Sequence, residues 1–197
     1  MRKIELRTPL SEETIRRLNV GDIVFVTGTL VTARDAAHKR MLQYLEEKRP
    51  LPVDLHGLPL FHCGPLVRNA GGEWVVLAAG PTTSMRMEPS ESEVIKNFGV
   101  RLIIGKGGMG EETKKTMTEF GAAYGMFTGG AAVLAADKIK RVKQVEWLDL
   151  GMPEALWVFE VETFGPLIIA MDAYGNNLFE NVQSAAEKKK PKILKET

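Results

Sequence analysis

The chain has 197 residues, of which 44% are hydrophobic and 26% charged, and its 26 Lys and Arg against 25 Asp and Glu leave a net charge of +1. That size suits a single globular domain with a real core, and the charge balance gives no support to nucleic-acid binding or a membrane-surface role. One cysteine, Cys63, excludes an internal disulfide framework and cannot by itself hold a metal cluster.

Taken in chain order, Ile4 to Thr8 predicts a short strand, and Ser11 a helix N-cap with Glu12 and Glu13 in the first turn. The opening Met1-Arg2-Lys3-Ile4-Glu5-Leu6 carries charge where a signal peptide needs an apolar stretch. No run approaches membrane-spanning length, so a cytoplasmic setting is expected. Val20-Gly21-Asp22 breaks the first helix before the β-branched strand Ile23 to Val26. The segment TARDAAHKRMLQYLEEK then reads as a helix capped by Thr32, with Ala36, Ala37, Met41 and Leu45 keeping one face apolar. Proline-rich Arg49 to Gly57 is a loop. Strands follow at Leu60 to Val67 and Glu73 to Ala79, divided by the turn Asn69-Ala70-Gly71-Gly72.

Ser90 is placed to cap a helix from Glu91 to Phe98, and another helix spans Gly110 to Phe120. Tyr124 to Thr128 reads as a strand and Gly130 to Ile139 as a helix, before two late strands at Ala155 to Thr163 and Pro166 to Asp172. A lysine-rich polar tail follows Ser184, so residues 1–185 form the expected domain and 186–197 the tail. Strands alternating with helices, then a meander, predict an α/β layered architecture with a mixed sheet.

Two glycine-rich turns carry the chemistry. GPTTSMRMEP, Gly80 to Pro89, and GKGGMG, Gly105 to Gly110, each directly follow an apolar strand, where an open sheet places its ligand-binding groups. Together they offer Thr82, Thr83, Ser84, Arg86 and Lys106 beside clustered backbone N–H groups, a set suited to a small polyanion such as a dicarboxylate or phosphate. An arginine fork takes a carboxylate in two bonds, as a point charge cannot. GKGGMG is neither a Walker A loop nor a full dinucleotide fingerprint. Arg34 sits in the first helical turn of TARDAAHKR, where the helix dipole disfavours a cation and a partner is needed. Asp35 and Lys39 have the spacing of a surface i, i+4 pair. Three scattered histidines and one cysteine lack zinc spacing, so no metal bound by this chain is expected. Asp172, ahead of Tyr174-Gly175-Asn176-Asn177, is explained as turn chemistry.

TGTLVTARDAAHKRM, GPTTSMRMEPSE, GKGGMG and FGPLIIAMDAYGNNLFE, in that order, resemble the β subunit, or C-terminal-domain equivalent, of the iron–sulfur class I hydro-lyases, fumarate hydratase and L(+)-tartrate dehydratase. The resemblance runs over nearly the whole chain and implies a swivelling β/β/α domain. It implies a 4Fe–4S cluster carried by a partner α subunit, in a heterotetramer of two α and two β chains, with this chain supplying the substrate clamp. Matched motif by motif, Arg34 and Arg86 would bind the carboxylates, with Lys106 assisting and Thr83 and Gly105 beside them. Thr82 matches the base that takes the C3 proton, with Thr83 its rival, and the general acid is expected on the partner. The resemblance implies reversible hydration of fumarate to malate, active only with the α subunit. L(+)-tartrate or another 2-hydroxy diacid is the alternative substrate, and a dicarboxylate-binding domain without catalysis is the alternative of another class.

Overall fold

The computed structural model describes residues 2–193, with side chains through residue 190. The strands are β1 (Lys3–Arg7), β2 (Ile23–Thr32), β3 (Pro59–Phe61), β4 (Leu66–Ala70), β5 (Glu73–Ala78), β6 (Leu102–Gly105), β7 (Ala123–Met126), β8 (Ile139–Glu146) and β9 (Leu156–Met171). The helices are α1 (Glu12–Arg16), α2 (Asp35–Glu46), α3 (Glu88–Phe98), α4 (Glu111–Phe120), α5 (Ala132–Ala136) and α6 (Leu178–Ile193).

The main sheet has seven strands in the order β1-β2-β3-β6-β7-β9-β8. β1, β2, β3, β6 and β7 run parallel, and β9 runs antiparallel to β2, β7 and β8. Because β9 also pairs with β2, from Ile168 opposite Ile23 to Trp157 opposite Thr32, the circuit β2–β3–β6–β7–β9 closes on itself. The architecture is therefore mixed α/β with a sheet-dominated core.

Period-two alternation explains how each strand serves both sides of this ring. Phe61, Leu102, Ile104, Trp157 and Phe159 point into one core, whereas Leu60, Ile103, Leu156 and Val158 join a second core under the helices. In the first, Phe61, Phe127 and Phe164 pack with centroid separations of 5.3 to 6.1 Å. In the second, Ala37 and Met41 of α2, Val94 and Ile95 of α3 and Met117 of α4 cover the sheet. Burial on both faces explains why β3 and β6 read as continuous apolar runs. The β4–β5 hairpin lies outside the ring and sets Trp74 edge-on to Trp157, with centroids 5.2 Å apart.

Several expectations need correction. The single strand placed at Leu60 to Val67 is two strands, broken by the isolated pairing of Cys63 with Pro81. Arg34 replaces Thr32 as the residue capping α2, because Thr32 is the last residue of β2 and its hydroxyl accepts from the Trp157 N–H at 3.2 Å. α3 starts at Glu88 and not after Ser90, since Pro89 suits a first helical turn. β8 occupies sequence read as a helix end and loop, and the two late strands are one strand of 16 residues. The lysine-rich segment continues α6 to Ile193, with residues 180–190 exposed, while residues 194–197 of the expected tail lie outside the described residues. Among the described residues no helix is long and apolar enough to cross a membrane.

Candidate active site

The segments singled out by sequence meet at one edge of the ring, where the parallel strands end. β2 delivers Arg34 and Asp35, β3 delivers His62, β6 delivers Gly105 and Lys106, and β7 leads to Gly129. The stretch Thr82–Ser84 is laced into this edge by its backbone. Thr82 N–H donates to the His62 carbonyl at 2.7 Å, Lys106 N–H to the Thr82 carbonyl at 3.4 Å, and Ser84 N–H to the Lys106 carbonyl at 3.0 Å. Thr83 and Lys106 form an isolated parallel bridge. A short 3-10 turn, Ser84–Met87, then turns the chain into α3 and carries Arg86.

Gly105 is required by this lacing, since a Cβ there would overlap the Ser84 hydroxyl and lie 3.2 Å from the Tyr124 hydroxyl. Those two hydroxyls are hydrogen-bonded at 2.9 Å, and burial pushes the Tyr124 phenol up to about 12. Gly107 and Gly108 take φ of 84° and 78°, which side chains rarely tolerate, and so turn the loop back toward α4. The loop also borrows a cap. The Glu88 carboxylate accepts from Gly110 N–H at 2.7 Å, Thr113 N–H at 3.2 Å and the Thr113 hydroxyl at 2.7 Å, tying the first glycine turn to the second.

Arg86 does not stand free. Its Nε donates to one Asp35 oxygen at 2.9 Å and its Nη2 to the other, while Nη1 lies 3.4 Å from the Thr82 hydroxyl. Asp35 thus pairs with Arg86 rather than with Lys39. Burial tends to raise its carboxyl, but the Arg86 bonds outweigh this and hold it below the usual range. Arg34, expected to need a partner, finds Glu154 at 3.2 Å, and the same carboxylate caps α2 by accepting from Ala36 N–H at 2.9 Å. Lys106 is exposed, with no carboxylate partner among the described residues. Arg34, Thr82, Thr83, Arg86, Gly105 and Lys106 are therefore gathered at one edge. A groove of about 540 Å³ along Leu51, Asp54, Phe98, Arg101 and Phe120 contains none of them.

Sequence reading missed the groups beneath this edge. His38, His62 and Glu91 are fully buried and share one oxygen: Glu91 Oε2 lies 3.1 Å from His38 Nε2 and 2.9 Å from His62 Nε2. His38 Nδ1 reaches the Arg34 carbonyl at 2.9 Å. Burial lowers both imidazoles, but the Glu91 charge and hydrogen bonds raise His38 overall while His62 stays lowered. Burial alone would raise Glu91, and the two imidazoles reverse this and hold it below the usual carboxylate range. The spacing of 24 and 29 residues around His62 matches no local metal motif, so only the fold brings the three together. Asp172 is a turn residue, accepting from the N–H groups of Val20, Tyr174 and Asn176 at 3.0 to 3.2 Å.

Comparison with known proteins identifies the family. The Fumarase C-terminus family matches residues 1–182. The L(+)-tartrate dehydratase subunit beta of Escherichia coli strain K12 is 48% identical over 97% of this chain and 94% of its own length. The putative L(+)-tartrate dehydratase subunit beta of Methanocaldococcus jannaschii is 42% identical over 94% and 95%. A putative fumarate hydratase class I of Geobacillus stearothermophilus is 42% identical over 95% of this chain but only 36% of its own length, so this domain corresponds to one part of a longer polypeptide there. The chain belongs to the class I fumarate hydratase and L(+)-tartrate dehydratase β-subunit family.

Proposed function

We propose that this chain is the β subunit of a two-subunit class I hydro-lyase and supplies the dicarboxylate clamp for reversible hydration of fumarate to malate. The observation that carries the β-subunit reading is the match to an L(+)-tartrate dehydratase subunit beta over 97% of this chain. Fumarate as substrate is supported by the match to a putative fumarate hydratase class I over 95% of it. The meeting of Arg34, Thr82, Arg86 and Lys106 at one strand-end edge supports it, and a swivelling β/β/α arrangement is compatible with the closed ring and its helical layer. A cytoplasmic setting suits a chain with one buried, free cysteine.

In this proposal the Arg86 fork and Arg34 hold the two carboxylates, and Lys106 adds a positive charge over the glycine turn. Asp35 occupies the Nε–Nη2 edge of Arg86, which leaves Nη1 and the second Nη2 proton for a substrate carboxylate. Thr82 takes the C3 proton in the dehydration direction. To do so its hydroxyl, a very weak acid, must first give its own proton to solvent. Arg86 Nη1 at 3.4 Å and the Lys106 charge stabilise the resulting alkoxide, which becomes neutral as it takes the C3 proton. Thr83 is more exposed and serves as a wall of the site.

The family's 4Fe–4S cluster does not fit this chain. Three thiolates are needed, whereas Cys63 is the single cysteine, buried and with its thiol pushed far up by burial. The cluster and the general acid are accordingly assigned to the partner α subunit, in an assembly of two α and two β chains. An apolar strip beside the site supports a docked partner: Val133 and Leu134 of α5 are 63% and 64% exposed, and Leu66 of the neighbouring hairpin is 60% exposed.

L(+)-tartrate as substrate is the second reading, favoured by the relatives at 48% identity. Anaerobic reconstitution with the partner, assayed on malate, fumarate, L(+)-tartrate and mesaconate, tests both. The expected result is an inactive isolated chain and a complex that interconverts malate and fumarate. Faster turnover of tartrate moves the assignment to the second reading. Absence of any turnover with an intact cluster overturns the enzymatic reading and leaves a dicarboxylate-binding domain.

A further inference from the structure

We infer that the buried His38–Glu91–His62 network is a positioning device that holds Arg34 and Thr82 at a fixed separation across the site, an inference that rests on the clamp reading of those two residues. Each end of the network is one bond from the clamp. His38 Nδ1 contacts the Arg34 carbonyl at 2.9 Å, and the His62 carbonyl accepts the Thr82 N–H at 2.7 Å. Glu91, on the helix that follows Arg86, joins the two imidazoles in the middle. Three elements, α2, β3 and α3, are thereby locked at a single carboxylate oxygen.

Counting protons fixes the state of the network. A carbonyl and a carboxylate only accept, so the contacts of His38 Nδ1, His38 Nε2 and His62 Nε2 each require an N–H. Two neutral imidazoles carry one N–H apiece, so one of the two must be an imidazolium. His62 Nδ1 has no partner among the described residues, which places the extra proton on His38. The network is then a buried ion pair, His38 with Glu91, extended by a neutral His62. Such a pair seldom repays its desolvation in stability, and fixing geometry is the better-attested use.

A cation site is the competing explanation, because the three ligand atoms lie within 4.8 Å of one another. The separations argue against it. Ligands at about 2.0–2.1 Å from a tetrahedral zinc stand about 3.3 Å apart, whereas both Nε2–Oε2 distances, 2.9 and 3.1 Å, are hydrogen-bond lengths.

Glu91→Gln isolates the positioning role because an amide cannot satisfy both histidines. With its oxygen inward, a neutral His38 must protonate Nε2 and so loses the Arg34 carbonyl. With its NH₂ inward, His62 carries its proton on an Nδ1 that has no acceptor. The test is amide hydrogen exchange on the 15N-labelled full chain, with kcat and KM measured on the complex with its partner. In Glu91→Gln the Thr82 amide is expected to exchange about tenfold faster while amides of β6 and β7 are unchanged. For the complex, kcat/KM is expected to fall about 100-fold. His38→Gln, which can reach Glu91 or the Arg34 carbonyl but not both, gives the same readout should Glu91→Gln fail to fold. Unchanged Thr82 exchange, uniform acceleration of all amides, or stoichiometric zinc in the wild-type chain that the variant loses would each overturn the inference. A wild-type complex without turnover defeats the clamp reading instead, and the exchange measurement still decides whether the network holds Thr82.

Discussion

Asp35 grips Arg86 along one side of its guanidinium, taking the Nε proton at 2.9 Å and an Nη2 proton on its second oxygen, so that Nη1 is turned toward the Thr82 hydroxyl. The pair joins the first turn of α2 to the 3-10 turn after β5, segments 51 residues apart in sequence. Asp35→Asn keeps the shape and removes the charge. In the reconstituted enzyme it is expected to lower kcat/KM about tenfold, equivalent to about 1.4 kcal/mol, mostly by raising KM. A lowered KM would show instead that Asp35 competes with substrate for Arg86.

Arg86→Ala removes the proposed carboxylate fork itself. Loss of a desolvated, charge-assisted pair is expected to cost roughly 2–4 kcal/mol in transition-state binding. Arg86→Lys should recover little, because a compact ammonium cannot make two parallel bonds. Steady-state kinetics on malate decide it, and an unchanged rate removes Arg86 from the site.

Gly105→Ala tests the lacing of the two glycine turns. The new methyl overlaps the Ser84 hydroxyl, and nearby backbone is fixed by the Thr83–Lys106 bridge, so relief requires displacement of the site edge. Overpacking of this kind costs about 1–3 kcal/mol, measurable as a lower urea midpoint. Adding Ser84→Ala removes the overlapping oxygen and should recover part of the loss.

Asp172→Ala separates turn chemistry from catalysis. The backbone N–H groups of Val20, Tyr174 and Asn176 lose their shared acceptor at a site only 1% exposed. The expected result is about 1–3 kcal/mol of destabilisation with kcat and KM preserved. A large fall in kcat at full occupancy of the folded state would make Asp172 part of the site.

The pH dependence of stability follows from the buried network. Glu91 is lowered from its ordinary 4.5, so its contribution is complete above that value and is lost as the pH falls below it. His62 is lowered from 6.5, so its contribution likewise declines as the pH falls through 6.5. His38 is raised, so its contribution is present below 6.5 and is lost only as the pH rises through its folded value. Asp35, also lowered and electrostatically coupled to both histidines, adds an acid-side loss from 3.8 downward. Urea midpoints between pH 7 and pH 3 should therefore fall steeply in the wild type and less steeply in Glu91→Gln. Parallel curves would assign acid lability to other carboxylates.

The two strand-end turns were legible in the sequence because they advertise themselves locally: Gly80-Pro81 and Gly105-Lys106-Gly107-Gly108 each follow an apolar run and carry their polar groups within a few residues. The partners of those groups were not legible. Asp35 with Arg86, Glu154 with Arg34, and Glu88 with Gly110 join segments whose proximity depends on ring closure. The histidine network was hidden for the same reason, since His38 looked like a helix residue and His62 like a strand residue. Helix boundaries moved where a distant carboxylate replaced the local cap, as Glu154 does for α2. β8 was missed because its outward face is polar, with Lys140, Arg141, Lys143 and Gln144 exposed, and only Ile139, Val142 and Val145 pack inward.

Closure of the ring by β9 also sets the order in which this molecule can be assembled. β2 and β7 each present an unpaired edge to β9, and no earlier segment fills either of them. During synthesis, Arg34, Thr82 and Lys106 emerge long before the stave that fastens the ring near them, and Leu156 to Met171 arrives among the last residues of the domain. Loop-closure entropy for the whole circuit is met in a single late step. The proposed site edge is thus shaped last, when β9 joins β2 to β7.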